Sequence, residues 1–147
     1  ASSLPQQASC PPASAQLNEF VNTGTNDRLI STGNALAIDA AWTKGSALGK
    51  ILAFNTGDAV PLCEFYNAAN TDHRYDRDCA TSTATDAGYP FVGVTGWAFA
   101  NEDAGRVPLH RYYSPTGTQH LYTLTRDDAR YTDAGFQFER VEAYVLP

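Results

Sequence analysis

The stretch QHLYTL (119–124) alternates with a period of two, the mark of a half-buried β-strand. Ahead of it stands VPLHRYY (107–113), an aromatic-rich run whose proline in second place suits a strand start. Between them, SPTGT (114–118) supplies residues that tolerate positive φ or bond their own backbone, so the pair predicts a β-hairpin. TRDDARYTDAG (125–135) follows, with a threonine cap, acids in its first turn and a glycine stop. Those signals predict about two turns of helix. ERVEAYVL (139–146) then predicts a closing strand.

The same order recurs upstream. Residues 60–78 match 107–125 at Val60/Val107, Pro61/Pro108, Leu62/Leu109, Tyr66/Tyr113, His73/His120 and Tyr75/Tyr122, always 47 apart. DAGYPFVGV (86–94) faces DAGFQFERV (133–141) in that register. A more diverged copy aligns LNEFVNTGTNDRLIST (17–32) with LHRYYSPTGTQHLYTL (109–124). Three tandem copies are expected, at 16–59, 60–106 and 107–147, each a β-hairpin, a short helix and a closing strand. One unit cannot bury its own apolar face, whereas three around a shared axis can. The predicted fold is a mostly β single domain over 15–147, pseudo-threefold and trefoil-like or three-bladed. Residues 1–14, ASSLPQQASCPPAS, lack apolar periodicity and read as a flexible tail or linker stub.

Ten basic and sixteen acidic residues give net charge −6 and pI near 4.8. Nucleic acid is not an expected partner, because binding it needs a basic footprint. No apolar run is long enough to span a bilayer, and no basic cluster suits an anionic membrane surface. Methionine is absent even from position 1, which points to a processed, secreted product or a trimmed chain. Cys63 and Cys79 replace His110 and Arg126 of the third copy, and two cysteines gained together by one copy suggest a mutual disulfide. The alternatives are a bridge from Cys10 to one of them, or three reduced thiols in a cytosolic protein. An oxidising, extracellular setting fits the pairing.

On these motifs the chain resembles a short extracellular repeat family of unknown function. Its members combine an aromatic Pro-Leu-Tyr-Arg type strand, an Asn/Thr-Gly turn, a His-Phe-Tyr-Thr type strand, a short helix and a Gly-Tyr…Glu-Gly closing strand. Such repeats occur in secreted fungal proteins and as tails of bacterial cell-wall hydrolases and proteases. The resemblance covers roughly residues 16–147 and implies carbohydrate binding by association alone. The first copy departs from it, with Arg28 and Ile30 where the others have His and Tyr, and is expected to carry a dead site. The second copy ends its motif in Asp76 rather than threonine.

The sharpest chemistry is the repeated His-x-Tyr pair, His73/Tyr75 and His120/Tyr122, whose members share one strand face. With Asp72 and Gln119 beside them, and Asn67 and Ser114 at the rim, they form candidate sugar sites. A ring stacks on a pyranose face while polar groups exchange hydrogen bonds with its hydroxyls. The competing reading puts Tyr75 and Tyr122 in the core, where Ile30 stands in the first copy, and has each histidine bond a neighbouring carbonyl. Trp97, Tyr144 and Phe54 align as closing core rings; Trp42 falls in a helical segment, as an exposed platform or half-buried packing.

No nucleophile elbow, phosphate loop or zinc-protease motif is present, and position 19/64/111 reads Glu, Glu, Arg. The expectation is therefore a non-catalytic, secreted, lectin-like protein that binds a glycan or cell-wall polysaccharide without cofactor or metal. A protein-binding scaffold such as a protease inhibitor is the alternative, and a polysaccharide hydrolase the second.

Overall fold

In each third of the chain the first strand runs down the middle, with the second and third strands paired antiparallel on either side. The computed structural model describes residues 13–33, 41–80, 84 and 87–147. The first segment holds β1 (Ser14–Asn22), β2 (Arg28–Ser31) and β3 (Trp42–Leu52). The second holds β4 (Val60–Asn67), β5 (Asp72–Asp76) and β6 (Phe91–Ala98). The third holds β7 (Val107–Ser114), β8 (Gln119–Thr123), a single helical turn α1 (Ala129–Thr132) and β9 (Gln137–Val145). The molecule is thus mostly β, with nine strands in two sheets among the described residues: a six-stranded sheet ordered β2-β1-β3-β6-β4-β5 and a three-stranded sheet ordered β8-β7-β9.

The three hairpin turns share a backbone shape. Asn26, Thr71 and Thr118 all take positive φ (63°, 48° and 53°) just ahead of the returning strand. Asn22, Asn67 and Ser114 cap those turns with side-chain oxygens: Asn22 Oδ1 accepts from Gly24 N–H, Asn67 Oδ1 from Asn70 N–H and Ser114 Oγ from Gly117 N–H. The rim residues Asn67 and Ser114 are therefore turn caps.

Single bridges join the segments at their third strands. Leu52 pairs with Trp97, Phe99 with Tyr144 and Lys50 with Leu146, so every pair of segments has one such link. Gly49 makes the last link possible, because it sits at φ +79° and a Cβ there would run into the Leu146 carbonyl oxygen. The core lies between the segments and draws on all three. Leu17, Leu62 and Leu109 are fully buried, as are Ile51, Ala98, Ala143 and Val145. Ile30, Tyr75 and Tyr122 fill the centre, where β2, β5 and β8 touch one another.

An ion cluster is buried beside this core. Glu142 is fully buried and accepts from Arg111 Nη1 (2.9 Å), Arg140 Nη2 (2.6 Å) and the Arg77 N–H (3.1 Å). Arg111 also donates to Glu139 at 2.8 Å, so the Glu-to-Arg change at position 111 is matched by acids on the neighbouring β9.

Cys63 and Cys79 form a disulfide, as the paired substitution suggests, with Cα atoms 5.3 Å apart. It closes a small satellite core of Phe65, Ala84 and Tyr89. Three expectations change. The third helix is one turn rather than two, capped by Asp128, whose side chain accepts from Arg130 N–H, and not by Thr125. Asp127 ahead of it takes φ 60° and gives its N–H to the Tyr112 hydroxyl (2.8 Å), a conformation no helix accommodates. Trp42 starts β3 rather than lying in a helix, and Phe54 is 51% exposed because β3 ends at Leu52. Most of the helical stretch expected in each of the first two copies (34–40 in the first; 81–83, 85 and 86 in the second), the tail before residue 13 and Cys10 lie outside the described residues.

Candidate functional site

Where the second segment meets the first, Asp27 closes on His73. Its Oδ1 accepts from the His73 N–H (2.9 Å) and its Oδ2 from Nδ1–H (2.6 Å). Where the third meets the second, Asp72 does the same to His120, at 2.8 and 2.6 Å. Both carboxylates are buried, and each is compensated by two donors on one residue. Aromatic rings hold the imidazoles from two sides: Tyr66 (4.5 Å) and Trp42 (6.2 Å) for His73, Tyr113 (4.6 Å) and Tyr89 (5.7 Å) for His120. Tyr89 further donates its hydroxyl to Asp72 Oδ2 at 2.6 Å. Its phenol is pushed well above the ordinary range, first by burial and then by that carboxylate.

The nominated residues are therefore grouped differently from their order in the chain. Asp72 is not the partner of its neighbour His73, because adjacent strand residues face opposite sides; it reaches His120, 48 positions on. Tyr75 and Tyr122 are buried in the core, with both hydroxyls bonded to backbone of the preceding segment. Only a small cavity of about 190 Å³ remains beside His120, between Arg74, Tyr89, Tyr113 and Glu139.

The junction between the third segment and the first is built from other residues. Gln119 stands where Asp27 and Asp72 stand, Arg28 replaces the histidines, and Val21 replaces Tyr66 and Tyr113. Gln119 turns toward the second segment, donating Nε2 to the Asn70 and Thr71 carbonyls (3.2 Å each), and its buried Oε1 has no partner. Arg28 Nε is likewise buried without a hydrogen bond, 3.6 Å from Glu19 Oε2. Burial pushes the Glu19 carboxyl up, and the Arg28 guanidinium offsets this only in part. Arg28 Cζ lies 5.2 Å from the centre of the Phe136 ring. Between these groups opens a cavity of about 470 Å³, lined by Arg28, Gln119, Ser114, Asn26, Thr25 and Phe136 among others. It joins an aromatic surface to amide, hydroxyl and guanidinium groups, of which Gln119 Oε1 is left unsatisfied. That arrangement suits a small polyhydroxylated ligand. Among the described residues, no three His, Cys, Asp or Glu side chains stand together as a metal site.

Residues 22–146 match the model of a family described as a domain of unknown function, DUF5648. The chain belongs to that family. No curated protein and no solved structure matches it.

The DUF5648 match covers the second and third hairpins, the turn and returning strand of the first, the cavity and both Asp–His pairs. Of the eight nominated residues, Gln119 and Ser114 line the 470 Å³ cavity. The sequence expectation leaves out Arg28 and Phe136, although both stand apart in the alignment of the copies. Arg28 falls in the histidine column, and Phe136 aligns with Tyr89.

Proposed function

We propose that this DUF5648 domain is a secreted, non-catalytic carbohydrate-binding protein whose three segments close into a pseudo-threefold ring. Its principal sugar site is the cleft between the third segment and the first. The observation that carries the reading is the pair formed by the Phe136 ring and the partnerless, buried Gln119 Oε1 in one cavity of about 470 Å³. A pyranose laid on the ring finds polar partners on Arg28, Ser114 and Asn26, and a small turn of the Gln119 amide would bring its unpartnered oxygen to a hydroxyl. At the equivalent places of the other two junctions stand Asp–His pairs and aromatic rings, so the expected set of equivalent sites reduces to this cleft. The ring reading is supported by the three strand-3 bridges and by hydrogen bonds that repeat from segment to segment. Secretion is supported by the disulfide.

A glycan array followed by calorimetry tests this. Binding to at least one sugar tighter than about 1 mM, weakened about tenfold or more by Phe136→Ala, is the expected result. No binding across the panel at that limit sinks the proposal. The protein-scaffold alternative draws on one separate observation, the exposed Phe91, Val92 and Val94 on β6 (48%, 56% and 43%). It predicts a self-association or partner contact abolished by Val92→Lys without change in sugar binding.

A further inference from the structure

The two filled junctions define what belongs in the open one. At each, a carboxylate on the preceding segment accepts both the backbone N–H and the side chain of the basic residue in second place of the following β5 or β8. At the third junction the cation is present, as Arg28, and the carboxylate is missing, because position 119 is Gln. Gln119 does not substitute for it: its amide nitrogen is spent on the second segment, and no hydrogen bond links it to Arg28 among the described residues. The Ile30 N–H points out of the β1–β2 pair, to the Tyr75 hydroxyl. Strand alternation puts the Arg28 N–H, two residues back, on that same edge. The guanidinium is poorly used, with Nε unbonded and Nη1 holding only a long bond to the Asn26 carbonyl (3.4 Å).

We propose that the ligand supplies the missing carboxylate, so that the cleft selects an acidic, uronate-type sugar. This rests on the carbohydrate reading above and narrows it. The carboxylate accepts from the Arg28 N–H and guanidinium, as Asp27 and Asp72 accept from His73 and His120. The apolar face of the sugar lies against Phe136, with Gln119 beside it in the cavity lining. Glu19 Oε2 lies 3.6 Å from Nε, and Glu19 is not part of the cavity lining.

The test compares glucuronate and galacturonate with glucose and galactose, by calorimetry and by the amide NMR signal of Arg28, in the native chain and in Gln119→Asp. That substitution gives the third junction the acid the other two already have. The expected result is binding of a uronate at least about tenfold tighter than its neutral counterpart. The Arg28 amide signal should move, and Gln119→Asp should lose about tenfold or more of uronate affinity. Phe136→Ala, by contrast, weakens acidic and neutral sugars alike. Neutral sugars binding as well as uronates, or Gln119→Asp binding uronate like the native chain, overturns the acidic-sugar inference and leaves the carbohydrate reading standing. Binding of neither class overturns both.

Discussion

The hydroxyl of Tyr122 is bonded to both backbone groups of Tyr75: it accepts from the N–H at 2.7 Å and donates to the carbonyl at 2.7 Å. Tyr75 does much the same one segment back, accepting from the Ile30 N–H at 2.8 Å. Its own proton serves Glu64 at 2.7 Å, with the Ile30 carbonyl farther off at 3.2 Å. Burial drives both phenols far above their ordinary range, so they are fixed as neutral hydroxyls.

Tyr122→Phe keeps the ring and strands the Tyr75 N–H and carbonyl in the core without partners. The expected loss is about 2–4 kcal/mol in denaturant unfolding, since each buried orphan costs about 1–3 kcal/mol. A loss under about 0.5 kcal/mol would mean that these bonds have ready substitutes.

The disulfide closes a loop with a sequence separation of 16. Replacing Cys63 and Cys79 together with alanine should lower stability by about 3 kcal/mol, with reductant producing a comparable drop in the native chain. Insensitivity of the melting temperature to reductant would show that the bridge adds nothing to the fold.

Glu142 is the hinge of the buried ion cluster, so its removal takes from Arg111 its fully buried partner and leaves it the part-exposed Glu139 and the more distant Asp76. Glu142→Ala is expected to cost about 3–5 kcal/mol. The double change Arg111→Met with Glu142→Leu should cost distinctly less than Glu142→Ala. Equal losses would contradict a charge-burial origin.

Two buried groups titrate with opposite sign. Glu19 is raised above its ordinary 4.5 by burial, so its share of stability is full below that pH and is lost as pH rises through its folded value. Glu19→Gln should therefore gain in melting temperature relative to the native chain as pH goes from 4 to 7. His110 is lowered from 6.5 by burial and then by Arg126, so its share is present above 6.5 and lost as pH falls through the folded value. His110→Leu should soften the loss of stability between pH 7 and 5.5. Parallel pH profiles for variant and native chain would refute either assignment.

Much of each segment was readable from residue order, because its hairpin and closing strand depend on local alternation and turn chemistry. VPLHRYY, SPTGT and QHLYTL became β7, a turn and β8 with little shift. The paired cysteines of the second copy also announced their bond. The helix was overread because the Asp127 N–H is claimed by Tyr112 on β7, a contact from outside the stretch 125–135. The Asp–His pairs were hidden for a related reason. His73 and Asp72 are neighbours in the chain, yet each bonds across a different boundary between segments. Only the columns Asp27/Asp72/Gln119 and Arg28/His73/His120, compared across copies, carry a trace of that geometry. The departures in them coincide with the open cleft.

The bridge between Lys50 and Leu146 spans 146 − 50 = 96 positions, with N–H···O bonds of 2.8 and 2.9 Å. During synthesis the first segment leaves the ribosome long before its partner strand exists. It waits with an apolar flank uncovered, and closure comes late, after a long search of chain space.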